Sequence, residues 1–287
     1  MTAQASNGSL RTARYEPPPS DPAERWYGSP LPERWGISLV IPAYNEEERI
    51  GPTLTEYLPA LRRLGRPFEI LVICDGADRT PELVARMRAP EIDCRRYDRK
   101  LGKGGAVLEG FRGASQEVIG YVDADGSVGA EDFVRMLGYI EAGEAAVFGS
   151  RRLDPSSVVL PETHLRRFVG WVWLALVKVL HGVPVKDLQC GAKLFRRGVV
   201  EFLGREVVVT NWAFDISVLQ HLIRHQVPIV ELAVAYRHDP RTRFPLTKAI
   251  PVMFLFLVGI FLANHKIWRH LVPMTFFDSL NRVFSAT

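Results

Sequence analysis

Asp123 and Asp125 stand two positions apart where a short apolar run, Gly120-Tyr121-Val122, gives way to a glycine, Gly126. Side chains alternate along a strand, so residues i and i+2 share a face, and both carboxylates aim at one spot past the strand end. Gly126 lets the chain turn there. Two hard oxygen donors of this kind suit a divalent cation, Mg²⁺ or Mn²⁺, holding a diphosphate. A solvated turn uses the same residue types, so the companions of the pair decide between the two readings. Gly102-Lys103-Gly104-Gly105 opens a helix and offers bare amides, a lysine and a helix N-terminus to a phosphate; the alternative is a plain helix-opening loop. No Walker A spacing is present, and no Gly-x-Gly-x-x-Gly follows the first strand. Asp187 falls in a polar loop with Gly191. Asp215 follows Trp212, Ala213 and Phe214, a setting in which a carboxylate needs a partner, so it reads equally as a catalyst and as a structural cap or ion-pair member. Arg151-Arg152 and Arg166-Arg167 are two basic pairs of the residue that grips phosphate with a planar fork. The histidines lack metal spacing; His221 and His225 share a helical face and read as surface residues.

Elements of the right kind precede these residues. Residues 37–41 and 118–122 read as buried strands, and 68–74, 94–97 and 145–148 as further strands. Helices are predicted from Asn45, as an N-cap before Glu46, Glu47 and Glu48, to Leu64 with Gly65 as the stop, and over 81–87, 102–111, 132–142 and 215–225. Strand and helix alternate, which means βαβ units and a mainly parallel α/β sheet flanked by helices. Function then belongs at the carboxyl ends of the strands. Those ends read Pro42-Ala43-Tyr44-Asn45-Glu46, Asp75-Gly76, Asp123-Ala124-Asp125 and Gly149-Ser150-Arg151.

The chain of 287 residues is 47% hydrophobic and 24% charged, enough to bury a core. Its net charge of +4 does not argue for nucleic acid, but suits phosphorylated substrates or an anionic membrane surface. The three cysteines lack zinc spacing and read as small buried hydrophobes. Residues 1–35 carry Pro17, Pro18, Pro19, Pro22, Pro30 and Pro32 without periodicity and read as a mostly disordered arm, with Trp26, Tyr27 and Trp35 as points of attachment. Two stretches are unusually apolar. Residues 168–180 form a helix hydrophobic nearly all round, buried or facing a membrane. Residues 249–263 carry no charge but fall short of the about 20 residues a span requires. Basic flanks place an interfacial helix first, a core helix second and a span third. Residues 241–287 are accordingly expected to be a membrane-interface helical tail.

Taken together, Val40-Ile41-Pro42-Ala43-Tyr44-Asn45-Glu46, Asp75-Gly76, Asp123-Ala124-Asp125-Gly126 and Gly149-Ser150-Arg151 resemble the GT-A fold, family 2 glycosyltransferases. Four further stretches resemble the dolichyl-phosphate glucosyltransferases and polyprenyl-phosphate mannosyltransferases of that family: residues 102–106, 187–195, 212–215 and 227–231. The resemblance covers roughly 37–240 and implies a catalytic domain over 36–240. It implies that Pro42, Ala43, Tyr44, Glu46 and Asp75 hold the base and ribose of a UDP- or GDP-linked sugar, with Lys103 and Ala124 beside the donor. It assigns Asp123 and Asp125 to Mg²⁺ or Mn²⁺. It gives Arg151 with Arg166 or Arg167 to the acceptor phosphate, and Asp187 and Asp215 to the sugar site. Asp125, Asp187, Asp215 and Arg151 are the catalytic candidates. The implied reaction is inverting transfer of a hexose, glucose before mannose, to a polyprenyl or dolichyl monophosphate by a protein peripheral or monotopic on the cytoplasmic side of a membrane. Ser127, where the mannosyl branch tends to carry Gln, leans towards glucose; Cys74-Asp75-Gly76-Ala77-Asp78 departs from the family's usual Asp-Gly-Ser. The alternatives are a family 2 transferase acting on a saccharide or small-molecule hydroxyl, and a non-catalytic membrane-associated scaffold with the same fold.

Overall fold

The structure, a computed structural model, describes residues 12–15, 30–154, 158–160, 164–182, 185–211, 213–237, 254–259, 261, 262 and 281. In chain order its elements are β1 (Thr12–Tyr15), β2 (Ile37–Ala43), α1 (Ile50–Arg63), β3 (Phe68–Cys74), α2 (Thr80–Arg86), β4 (Ile92–Arg96), α3 (Gly102–Gly113), β5 (Val118–Val122), α4 (Ala130–Glu141), β6 (Ala146–Ser150), β7 (Val158–Leu160), α5 (His164–His181), β8 (Ala192–Arg196), α6 (Arg197–Glu206), α7 (Phe214–Arg224), β9 (Ile229–Ala233) and β10 (Tyr236–Arg237). Eight strands form one mixed sheet in the order β1-β9-β6-β8-β5-β2-β3-β4. Its pairings are parallel except for β1 on β9 and β8 on both its neighbours.

Alternation along the buried strands builds a core on each face. From β2, Ile37, Leu39, Ile41 and Ala43 enter one core with Leu54, Leu58 and Leu61 of α1 and Phe133 and Leu137 of α4. Val40 enters the other with Val107 and Phe111 of α3, Leu203 of α6 and Leu219 of α7. Burying each such side chain contributes roughly 1.5–3 kcal/mol. Ser38, the one polar residue of β2, is fully buried; its hydroxyl donates to Glu69 at 2.6 Å and accepts from the Gln116 amide at 3.0 Å.

The predicted strands over 68–74 and 118–122 coincide with β3 and β5. Gly65, at φ +63°, follows α1 as the predicted stop. Asn45 does not cap α1. It adopts φ +56°, a conformation Asn tolerates, and its Oδ1 accepts the Ala77 amide at 3.0 Å, so its side chain joins two loops and the helix begins at Ile50. Within the segment expected to be a disordered arm, Thr12–Tyr15 forms β1 and closes the sheet edge against β9. Trp35 is buried with the Arg66 guanidinium over its ring at 4.1 Å. Trp26 and Tyr27 lie outside the described residues.

The apolar stretches divide between core and surface. On α5, Val177 is buried while Val172 is 44% and Val179 83% exposed. Residues 254–259 are helical, with Phe256 and Leu257 buried in the α3-side core and Phe254 and Leu255 46% and 47% exposed. The rest of 241–287, apart from 261, 262 and 281, lies outside the described residues. Among the described residues, no helix is long and apolar enough to cross a membrane. His221 departs from its surface reading: it packs half-buried against Phe202, and burial pushes its imidazole down to about 4, whereas His225 is exposed.

Candidate active site

Asp123 and Asp125 leave the end of β5 in a turn that three elements shape. The Asp123 amide donates to Gly191 O at 2.9 Å, just before β8. Thr53 of α1 donates its hydroxyl to Ala124 O at 2.8 Å. Gly126 takes φ +64°, and the Ser127 amide donates to Asp125 Oδ1 at 3.0 Å. Gly191 makes room for the Asp123 carboxylate, since a Cβ there would stand 2.2 Å from Asp123 Oδ2. Gly191→Ala is therefore expected to displace that carboxylate and to lower kcat at least about tenfold, a loss in keeping with the cost of misplacing a catalytic group by an ångström. Thermal denaturation of the variant distinguishes this from unfolding.

Cations flank the pair. Lys103 Nζ lies 2.9 Å from Asp123 Oδ1 and 3.7 Å from Asp215 Oδ2. Asp215 is buried and bound in turn by the fully buried Lys193, at 2.7 Å, and by the Tyr121 hydroxyl. On the other side, Arg49 grips Glu46 through two bonds of 2.6 Å and brings Nη1 to 3.9 Å from Asp125 Oδ2. That nitrogen is buried with no hydrogen-bond partner. Burial, reinforced by Asp125 and Asp215, keeps the Asp123 carboxyl above its ordinary range despite Lys103. Burial likewise raises Glu46 to about 7, against the pull of Arg49. The site is thus short of positive charge around hard oxygen donors. Among the described residues, no group of three or more His, Cys, Asp or Glu converges on a metal position. Two carboxylates fit an ion whose remaining ligands are phosphate oxygens and water, which is how Mg²⁺ is usually held.

The residues expected on the donor side line up along neighbouring loops. Pro42 and Ala43 end β2; Tyr44 is exposed, with Lys100 Nζ 4.8 Å over its ring. Asp75 is buried, and its Oδ2 accepts the amides of Leu101 at 2.7 Å and Gly102 at 3.0 Å. Those bonds draw part of the expected phosphate cradle into the protein's own structure. Two amides at the start of α3 serve Asp75, and the Gly105 amide donates to Thr210 O at 3.0 Å. The glycines are there for close approach: a Cβ on Gly104 would stand 2.6 Å from Phe214, and one on Gly102 2.7 Å from Thr210 O. The loop positions Lys103, and its Leu101, Gly102 and Gly105 amides are given to acceptors within the protein.

Asp187, expected at the sugar site, and Arg151, expected at the acceptor phosphate, stand against each other. They form one ion pair: Arg151 donates Nε to Oδ2 at 2.7 Å and Nη2 to Oδ1 at 2.9 Å, and its amide reaches Oδ2 at 3.0 Å. Burial opposes the charge on Asp187, but Arg151 outweighs it and holds the carboxyl well below its ordinary range. Glu231 of β9 fixes the loop by accepting the amides of Lys186 at 2.8 Å and Asp187 at 2.9 Å. Tyr236 lies under the guanidinium, 4.9 Å from ring centroid to carbon. Arg166 and Arg167 lie on α5, where their side chains are outside the described residues. The sequence reading missed Arg49, Thr53, Tyr121, Lys193 and Glu231. Lys193 and Glu231 carried a legible signal, being charges set between apolar neighbours within strands, where burial demands a partner.

Residues 38–204 match the family described as Glycosyl transferase family 2. The chain is 33% identical over 212 residues to a dolichyl-phosphate beta-glucosyltransferase of Trichomonas vaginalis, covering 69% of this chain and 63% of that protein. A second such protein of the same organism is 31% identical, covering 75% of this chain and 69% of its own length. The chain therefore spans about two thirds of these relatives. A dolichyl-phosphate beta-glucosyltransferase of Dictyostelium discoideum is 29% identical, with 78% and 76% covered. In fold, the chain is similar to glucosyl-3-phosphoglycerate synthase from Mycobacterium tuberculosis in complex with UDP, with TM-score 0.58, 18% identity, and 80% and 79% covered. It is also similar to that enzyme in complex with Mn²⁺, UDP and phosphoglyceric acid, with TM-score 0.56.

Proposed function

This chain belongs to glycosyl transferase family 2, and on that premise we propose that it moves glucose from a UDP-linked donor to a polyprenyl or dolichyl monophosphate, with Mg²⁺ or Mn²⁺ at Asp123 and Asp125. The observation that carries this reading is the charge-deficient carboxylate pair at the end of β5, with Lys103 at 2.9 Å. The names of the relatives support the sugar and the acceptor, and the complexes of the structural neighbours support UDP and the ion.

In this reading, Asp123 and Asp125 would hold the ion, which would supply Lewis-acid neutralisation of the charge on the leaving diphosphate. Lys103 adds a positive charge beside the same leaving group and is kept in place by Asp123 and Asp215. The loop 42–46 and Asp75 hold the nucleoside. A phosphate acceptor attacks as an anion and needs no general base, whereas a hydroxyl acceptor does. Asp187 and Asp215, the sugar-site carboxylates that could act as that base, are tied down. Asp187 is held by Arg151; burial raises Asp215, but Lys193 and Lys103 outweigh it and keep its carboxyl lowered. This supports the phosphate acceptor over the hydroxyl alternative. Arg151, with Arg166 or Arg167, receives that phosphate, and attack opposite the leaving diphosphate inverts the anomeric centre. The intact set of Asp123, Asp125 and Lys103 speaks against the scaffold alternative.

The exposed apolar side chains of Val172, Val179, Phe254 and Leu255, with the basic residues around 241–248 and 265–270, support peripheral attachment to a lipid surface. The chain is expected to sediment with anionic vesicles and to stay in the supernatant when Phe254 and Leu255 are both changed to Ser; unaltered sedimentation of that variant removes this patch from the reading. The reaction is tested by incubation with labelled UDP-glucose, GDP-mannose and other nucleotide sugars, a polyprenyl phosphate, and Mg²⁺, Mn²⁺ or chelator. Chelator-sensitive glucosylation of the lipid is the expected product; transfer only to hydroxyl acceptors contradicts it.

A further inference from the structure

Asn281 lies far along the chain from every residue of the site, yet its carboxamide is fully engaged with the loop between α6 and α7. Its Oδ1 accepts the Thr210 amide at 3.3 Å and Asn211 Nδ2 at 3.3 Å, and its Nδ2 donates to Val208 O at 2.8 Å. That loop is the common support of two active-site helices. Thr210 O accepts the Gly105 amide at 3.0 Å and so holds the first turn of α3, which carries Lys103. Asn211 O accepts the Phe214 amide at 3.0 Å and Asn211 Oδ1 accepts the Ala213 amide at 2.8 Å, which together start α7, where Asp215 is the second residue. The two helices also meet through Gly104, whose missing Cβ leaves space for Phe214.

We infer that Asn281 is a positioning residue: its carboxamide clasps the 208–211 loop and sets the spacing between Lys103 and Asp215. A carboxamide suits this place because it offers an acceptor to two N–H groups and a donor to a carbonyl at once. Alanine lacks both functions, and the loop loses three bonds together. The inference rests on the donor reading above only in the role given to Lys103.

The test compares the full-length chain with Asn281→Ala, in wild-type and Lys103→Met backgrounds, by hydrogen–deuterium exchange and by kinetics with UDP-glucose and Mn²⁺. Faster exchange is expected at the amides of Gly105, Ala213 and Phe214, with little change in β2 and β5. The kcat/KM for donor is expected to fall about tenfold, the size of one or two lost hydrogen bonds. That fall is expected to shrink to less than about twofold when Lys103 is already Met, since residues acting through one another are non-additive. Unchanged exchange overturns the clasp. Equal losses in both backgrounds overturn its action through Lys103 and leave a role in folding alone. If the wild-type chain shows no transfer from UDP-glucose, the donor reading fails, and exchange at Gly105 still decides whether the clasp exists.

Discussion

Replacing Asp125 with alanine is expected to abolish sugar transfer, lowering kcat at least about a thousandfold, because each roughly 1.4 kcal/mol of lost transition-state stabilisation costs a factor of ten and a Lewis acid on the leaving diphosphate supplies several. The fold should hardly notice. Asp125 keeps a fifth of its side chain in solvent, and its contacts are the Ser127 amide at 3.0 Å and Arg49 at 3.9 Å. Its removal also takes a like charge away from Asp123. The variant should therefore melt within a few degrees of the parent while losing Mn²⁺-dependent binding of UDP. Retained metal-dependent turnover would remove Asp125 from the metal site.

Lys193→Met should produce the largest loss of stability. Lys193 is fully buried, and its ammonium bonds Asp215 at 2.7 Å and Cys190 O at 3.0 Å. Taking one partner from a buried ion pair costs about 3–5 kcal/mol, which the midpoint of urea unfolding reads directly. Tyr121 and Lys103 remain beside Asp215, so the lower end of that range is expected. Lys103 is then drawn towards Asp215 and away from Asp123, which raises the KM for the donor. The dependence on pH has a definite sign. Burial raises the Asp215 carboxyl, but Lys193 and Lys103 outweigh it, and the group titrates below its ordinary 3.8. Its contribution is therefore present above that pH and is lost as acid carries the solution down through the lowered value. The Met variant should show a shallower acid-side loss than the parent. A urea midpoint unchanged by Lys193→Met contradicts the view that this pair holds the site together.

Much of the fold and site was legible because the sequence states it locally. The β-branched runs of β2, β3 and β5 are bounded by turn residues, and their carboxyl ends carry the polar groups, so the Asp123-Ala124-Asp125 turn could be placed without knowing its neighbours. What sequence left open depends on contacts distant along the chain. Nothing near 192–196 says that β8 slots antiparallel between β5 and β6, yet this insertion brings Gly191 to Asp123 and Lys193 to Asp215. Asp187 and Arg151, 36 positions apart, read as two independent candidates until their pairing is seen. The glycines at 102–105 suggested a phosphate cradle because glycine exposes backbone, and local pattern cannot distinguish amides offered to a ligand from amides already given to Asp75 and Thr210. Asn45 preceding acids has the look of a helix cap; its left-handed backbone and its bond to Ala77 follow from a loop meeting across the sheet.

The central claim is that the carboxylates after β5 carry the ion that grips the donor diphosphate. A crystal structure of the chain with UDP-glucose and Mn²⁺, with the metal located by its anomalous scattering, tests it most directly. The ion should lie within coordination distance of Asp125 and of diphosphate oxygens, with Asp123 facing it and Lys103 alongside. Manganese bound elsewhere, or UDP-glucose bound with both carboxylates turned to bulk water, would contradict the account.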